Sequence, residues 1–255
     1  MSERRVVARQ RTIDSGAGWR LRLLQSFELC RDGVPLDLPL AAQRLIAFLA
    51  LLRRPALRLY LAGMLWPDSS EIHANGSLRS ALWRLRIAAP EVVHAAGNRL
   101  ALSARVRVDF DELIERSHRL VESDADDAGL SADPTVLTHE LLPDWYEDWL
   151  APDRERLRQL QLHALEALSS RMRARDEYAQ AIEVANLAVA AEPTRESARR
   201  ALIEAHLAEG NVDEAIRQFR LFRRLLTTEL GVEPSPRLAA LVSTDRVPAR
   251  SLVVR

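Results

Sequence analysis

Two stretches of the chain repeat each other at an offset of 34 residues. Asp176-Glu177-Tyr178-Ala179-Gln180-Ala181-Ile182 aligns with Gly210-Asn211-Val212-Asp213-Glu214-Ala215-Ile216, and Leu187 aligns with Leu221. A helix–turn–helix period of about 34 residues is that of tetratricopeptide repeats. One such unit cannot bury its apolar face alone, so units stack into a helical solenoid. The second unit departs from the pattern after Leu225. There Thr227-Thr228-Glu229-Leu230-Gly231-Val232 delays the Glu-Pro pair, and Glu192-Pro193 to Glu233-Pro234 spans 41 residues. Helices are expected at roughly 153–173, 176–191, 195–208, 212–229 and 236–242.

The first hundred residues have another texture. Leu21, Leu23, Phe27 and Leu29 alternate with Arg22, Glu28 and Cys30, which is the period of a half-buried strand. Arg31-Asp32-Gly33 is a turn, and Val34 to Leu38 alternates again. Helical spacing follows over Ala41–Arg53, Leu59–Trp66 and Ile72–Ala88, each stopped by a proline just beyond. Val92-Val93-His94 and Leu100-Ala101-Leu102 flank Gly97-Asn98-Arg99 as a hairpin, which Val106-Arg107-Val108 is expected to close. A further helix is expected from Phe110 to Val121. Residues 1–18 read as a flexible tail and 123–134 as an acidic loop. Trp145, Tyr146 and Trp149, between Pro143 and Pro152, read as a packed aromatic turn.

Strands, three helices and a hairpin in this order make a winged helix-turn-helix. Its third helix is the recognition helix and its hairpin the wing. On Ile72–Ala88 the apolar stripe is Ala74, Leu78, Ala81, Leu82 and Leu85. The opposite face then presents Gly76, Arg79, Ser80, Trp83 and Arg86. Arg79 suits bidentate contact to guanine or phosphate, and Ser80 permits close approach. Asn75, near the helix start, either reads adenine or caps the helix. Arg84 and Arg86 either meet phosphate or solvate the helix. Trp83 meets DNA or packs against a neighbouring domain or subunit. Arg99, at the hairpin tip, is placed for minor groove or backbone.

Charge divides the chain in the same way. All 36 basic residues are Arg, and net charge is zero. Residues 1–110 hold 17 Arg against 9 acidic residues, and the remainder holds 19 against 27. A basic N-terminal part facing nucleic acid beside an acidic partner domain is one reading; unevenly charged solvated surface is the other. The lone cysteine, Cys30, excludes an internal disulfide, and the six histidines show no metal-ligand spacing. No metal or cofactor is expected. The longest apolar run, Leu45 to Leu52, is far too short to span a membrane. The N-terminus lacks a secretory apolar core, so a cytoplasmic location is expected.

Ser77-Leu78-Arg79-Ser80-Ala81-Leu82-Trp83-Arg84-Leu85-Arg86 resembles the recognition helix of SARP-type activators, the antibiotic regulatory proteins of actinobacteria. Leu61-Ala62-Gly63-Met64-Leu65-Trp66-Pro67 is similar to their second helix, and Val108-Asp109-Phe110-Asp111 to their domain junction. Residues 140–150, Glu192 to Arg200 and Leu230 to Ser235 resemble the bacterial transcriptional activator domain. The wing departs from the family, with Gly97-Asn98-Arg99-Leu100 where a tyrosine is common. The resemblance implies an OmpR-like winged helix (19–109, α+β) followed by an all-α tetratricopeptide-like activator domain (110–242), with 243–255 as a tail. It also implies the family's small form, without an ATPase or sensor domain. An activator that binds double-stranded DNA at direct repeats and recruits RNA polymerase is the implied function, with a homodimer on DNA as a possible arrangement.

Two other readings stand beside it. One is a protein–protein adaptor that uses only the repeats; the other is a repressor of the same fold, since fold does not fix the sign of regulation. An enzyme is not expected: Walker, Rossmann, nucleophile-elbow and zinc-protease patterns are all missing. Asp144, Glu147 and Asp148 imitate a carboxylate pair, but their spacing reads as an exposed acidic face.

Overall fold

The computed structural model describes residues 18–122 and 133–243. The expected tails and acidic loop therefore lie outside the described residues, except for Gly18, Asp133, Pro134 and Ser243. The described chain divides into two units. The first holds residues 18–111 and 141–150; the second holds 112–122, 133–140 and 151–243.

In the first unit, β1 (Trp19–Arg22), β2 (Glu28–Arg31) and β3 (Val34–Leu36) form an antiparallel meander. Helices α1 (Leu40–Leu52), α2 (Arg58–Leu65) and α3 (Glu71–Ala88) follow, then the hairpin β5 (Val93–Ala96) and β6 (Arg99–Leu102). Two strands depart from expectation. A two-residue strand β4 (Ala56–Leu57), too short to show alternation, pairs with β6 and widens the wing to three strands. Val106–Val108 does not close the hairpin. As β7 it pairs in parallel with β1, giving the sheet order β3-β2-β1-β7.

The cause of that placement lies one residue further on. Asp109 accepts from the backbone N–H of Leu23 at 2.8 Å and of Leu24 at 3.2 Å, satisfying two amides where β1 ends. Val106 and Val108 then turn inward together, as period two requires. Alternation reveals a strand's buried face but not the sheet it joins. The core of this unit is built from Leu21, Leu23 and Leu29 of the strand region, Leu45, Ile46 and Leu49 of α1, Leu61 and Leu65 of α2, and Leu78 and Leu85 of α3.

The segment 141–150 folds onto this unit. Leu141 bridges Leu24, and the Leu142 N–H donates to the Leu23 carbonyl at 2.9 Å. Trp145 stacks on Phe27 (5.8 Å between rings), and Trp149 meets Phe48 edge-on at 5.1 Å. Trp145 and Trp149 are therefore packed, as expected, but Tyr146 between them is 98% exposed, because the alternation that turns its neighbours inward turns it out. Asp144 and Asp148 are exposed, but Glu147 is not the free surface acid expected of that face. Its carboxylate accepts from Arg44 Nη2 at 2.7 Å and from the Trp149 indole N–H at 2.8 Å. The alternation that turns Trp145 and Trp149 inward carries Glu147 with them.

The helix α4 (Asp109–Glu122) leads into the second unit, which continues with α5 (Ala151–Ala174), α6 (Tyr178–Ala191), α7 (Glu196–Glu209), α8 (Val212–Leu230) and α9 (Pro236–Leu241). The repeat recurs here bond for bond. Asp176 and Gly210, 34 residues apart, both adopt left-handed backbone (φ 62° and 87°). The next N–H reaches back to the preceding helix in each case, Glu177 to Met172 at 3.0 Å and Asn211 to His206 at 2.8 Å. Ala181 and Ala215, fully buried, occupy matching sites on α6 and α8. The departure after Leu225 is a lengthening of α8 to Leu230. The added turn places Leu226 against Leu238 of α9, in a cluster with Ile203, Ala215 and Phe222. Ser235 caps α9 by accepting from Leu238 N–H, and its own N–H donates to Glu196 at 2.8 Å. Among the described residues no helix is long and apolar enough to cross a membrane.

Candidate nucleic-acid interface

The helix α3 starts at Ser70, whose hydroxyl oxygen accepts from the His73 N–H and lies 2.7 Å from His73 Nδ1. The cap is therefore Ser70 and not Asn75. One turn into the helix, Asn75 is half-buried, and its amide donates to the Glu71 carbonyl at 2.9 Å. The Asn75 side chain is thus engaged with its own helix.

Ala74, Leu78, Ala81 and Leu85 are buried, and Leu82 is half-buried at the edge of that stripe. At 100° per residue the opposite face is centred on Trp83, with Ile72, Gly76, Arg79, Ser80 and Ile87 around it. It is open: Ile72 is 80%, Trp83 57% and Ile87 65% exposed. Arg79, Ser80, Arg84 and Arg86 are exposed as well. The Arg84 guanidinium lies over the Trp83 ring, 5.0 Å from its centroid. Gly76 occupies the middle of this face, and a Cβ there would have only the Arg79 Nη2, at 3.9 Å, within reach. A helical glycine with no crowding around it leaves a shallow floor between Arg79, Ser80 and Trp83.

Four other arginines of this unit are paired: Arg22 with Glu28, Arg44 with Glu147, Arg53 with Asp111 and Arg105 with Glu91. Arg79, Arg84, Arg86 and Arg99 form no ion pair among the described residues. The result is a patch of positive charge with no internal compensation. Arg99 is exposed where β6 leaves the turn, opposite Ala96. Gly97 in that turn has φ 57°, and the Asn98 carbonyl accepts from the Arg58 N–H at 3.0 Å. The tip of the wing is thereby tied to the start of α2. The structure brings Arg79, Ser80, Trp83, Arg84 and Arg86 onto one face, while Arg99 stands apart on the wing.

Sequence reasoning missed Arg58. It forms a groove of about 450 Å³ together with Trp83, Arg86 and the β5 residues Val93 and Ala95. Its only signal was an arginine without an acidic neighbour, in a stretch whose strand β4 was itself unseen.

Residues 136–244 match the family described as the bacterial transcriptional activator domain. The matched stretch takes in most of the second unit and the segment 141–150. It follows strands, three helices and a hairpin, and the fold is a known one. The chain is similar to the solved structure of Mycobacterium tuberculosis EmbR in complex with a low affinity phosphopeptide. The TM-score is 0.72 at 20% identity, over 91% of this chain and 65% of that one. The chain thus spans about two thirds of the EmbR chain's length. Among curated proteins no sequence matches. The expected fold, a winged helix-turn-helix before a helical repeat domain, is borne out, and so is the resemblance to SARP-type activators.

Proposed function

We propose that the protein is a transcription regulator that binds specific double-stranded DNA through α3 and activates transcription. The observation that carries the reading is the open face of α3, on which Arg79, Arg84 and Arg86, beside the exposed Trp83, form no ion pair among the described residues. Paired arginines stabilise a fold; unpaired ones clustered on the exposed side of a third helix face a partner with negative charge. Gly76 and Ser80 let that partner approach the helix backbone closely, as a major-groove base edge requires. In this reading Arg79 reads a base, while Arg84 and Arg86 meet phosphates. Arg99 reaches the backbone beside the groove.

The activator domain supplies the protein-binding part: RNA polymerase is its proposed partner, at operators made of direct repeats, with a second copy of the chain on the neighbouring half-site. The test is selection of bound duplexes from a random-sequence pool at two salt concentrations. Enrichment of a short repeated motif that Arg79→Ala abolishes is the expected result. Weak binding that added salt erases, with nothing enriched, refutes sequence-specific recognition and leaves the adaptor reading.

A further inference from the structure

We propose that the groove between the C-terminal half of α3 and β5 binds a small amphipathic organic acid, an apolar body carrying one carboxylate. Its walls are hydrocarbon: Leu82 and Trp83 of α3, Pro90 beyond its end, and Val93 of β5. Its two cations are Arg58 and Arg86, and neither forms an ion pair among the described residues. Pockets for small ligands hold about 300–1,000 Å³ and combine apolar walls with a few convergent polar groups. The groove, at about 450 Å³, has that size and that make-up.

The wall chemistry selects the occupant. A DNA phosphate would engage Arg86 at the rim but leave Leu82, Pro90 and Val93, whose side chains offer no donors, uncovered. A free inorganic anion would satisfy the arginines but leave the hydrocarbon wet. An alkyl or aryl acid does both. Its body covers the walls and the exposed Trp83 ring, and its carboxylate takes the forked donors of a guanidinium.

The groove shares Trp83 and Arg86 with the face assigned to DNA, so acid and DNA exclude each other. This exclusion rests on the DNA-binding reading; the acid site itself does not. Exclusion is reciprocal: an acid that weakens DNA binding by a given factor is itself bound more weakly by that factor on DNA.

The experiment uses the full chain and two readouts. Without DNA, anilinonaphthalene sulfonate is titrated as a fluorescent amphipathic anion and displaced with decanoate or with decanol. Saturable binding displaced by decanoate far better than by decanol is expected. Arg58→Gln with Arg86→Gln is expected to weaken decanoate by about tenfold or more, the loss of charge-assisted hydrogen bonds. Ala95→Trp, which fills the groove from β5 and removes no charge, is expected to abolish displacement with the urea unfolding midpoint unchanged. Displacement that survives Ala95→Trp, or that decanol matches, overturns the site. In the second readout, decanoate releases bound duplex from the wild type and not from Ala95→Trp. Failure of the wild type to bind any duplex refutes the DNA reading, and the first readout still decides the acid site.

Discussion

Arg44 and Glu147, 103 residues apart in sequence, close on each other at 2.7 Å. Both side chains are about four-fifths buried, and Arg44 also donates to the Leu65 carbonyl at 2.6 Å. Glu147→Gln leaves the guanidinium desolvated beside a neutral amide. The expected loss is about 2 kcal/mol, as for a hydrogen bond to a charged group. Urea unfolding followed by near-ultraviolet signal from the tryptophans measures it. Replacing both partners, Arg44→Met with Glu147→Leu, is expected to recover part of the loss, because no charge is then stranded. A double variant less stable than Glu147→Gln would show that the pair itself holds the segment.

Asp109 serves two backbone amides with two oxygens. Asp109→Asn keeps one acceptor and presents an NH2 group to the other N–H. We expect a loss of about 1–3 kcal/mol from the amide left without a partner. Hydrogen exchange locates it: the Leu23 and Leu24 amides lose protection first, and equal protection in both proteins would remove Asp109 from this role.

Gly76→Ala separates folding from recognition. A mid-helix glycine costs about 1 kcal/mol relative to alanine, and the added methyl meets nothing closer than the Arg79 Nη2 at 3.9 Å. The variant is expected to melt at a higher temperature and, on the proposed reading, to bind the selected duplex more weakly, because the methyl fills the floor between Arg79, Ser80 and Trp83. Unchanged affinity would move the contact surface away from the middle of α3.

Arg79 and Arg84 should respond differently on DNA. Arg79→Ala is expected to cost about 1–3 kcal/mol on the selected sequence and to relax preference at one position. Arg84→Ala is expected to weaken specific and random duplex alike, with the slope of binding against log salt shallower by about one. Equal behaviour of the two variants on both duplexes would refute these roles.

Acid should act on the second unit through His139. Burial lowers its pKa from the ordinary value of 6.5, an effect the nearby Asp133 carboxylate only partly opposes. A depressed pKa means the unfolded chain takes up the proton first. The stabilisation is therefore complete above pH 6.5 and is lost as pH falls through the lowered value. The urea midpoint of the wild type should decline across that window. In His139→Gln, which keeps the main-chain carbonyl that Gln161 Nε2 donates to at 2.8 Å, the decline should be shallower. Parallel curves would assign the acid sensitivity to other groups.

The helices were legible in the sequence because each carries its own period and its own stop. The repeat was legible down to its turns, since Gly210 and Asp176 are residue types that tolerate left-handed backbone. What escaped depended on partners distant in sequence. The two residues of β4 have no period to read, and the pairing of β7 with β1 is set by Asp109 reaching Leu23 and Leu24. The inward turn of Glu147 needed Arg44 to be seen beside it. On the candidate interface, periodicity correctly exposed Arg79, Ser80, Trp83, Arg84 and Arg86. It could not show that Asn75 bonds its own helix, or that Arg58 joins Arg86 across a groove.

The stacking of Trp145 on Phe27 and of Trp149 on Phe48 also sets a timetable for synthesis. When β7 leaves the ribosome the sheets and α1 to α3 already exist, yet Phe27, Phe48 and Arg44 still face water. About forty more residues must be added before 141–150 can cover them, roughly two to eight seconds at ordinary elongation rates. The nascent first unit therefore waits, incompletely covered, for a piece of chain that lies in sequence within the stretch matching the activator-domain family. A transcript truncated between the two would release a unit with its aromatic side open, a form exposed to chaperones and proteases.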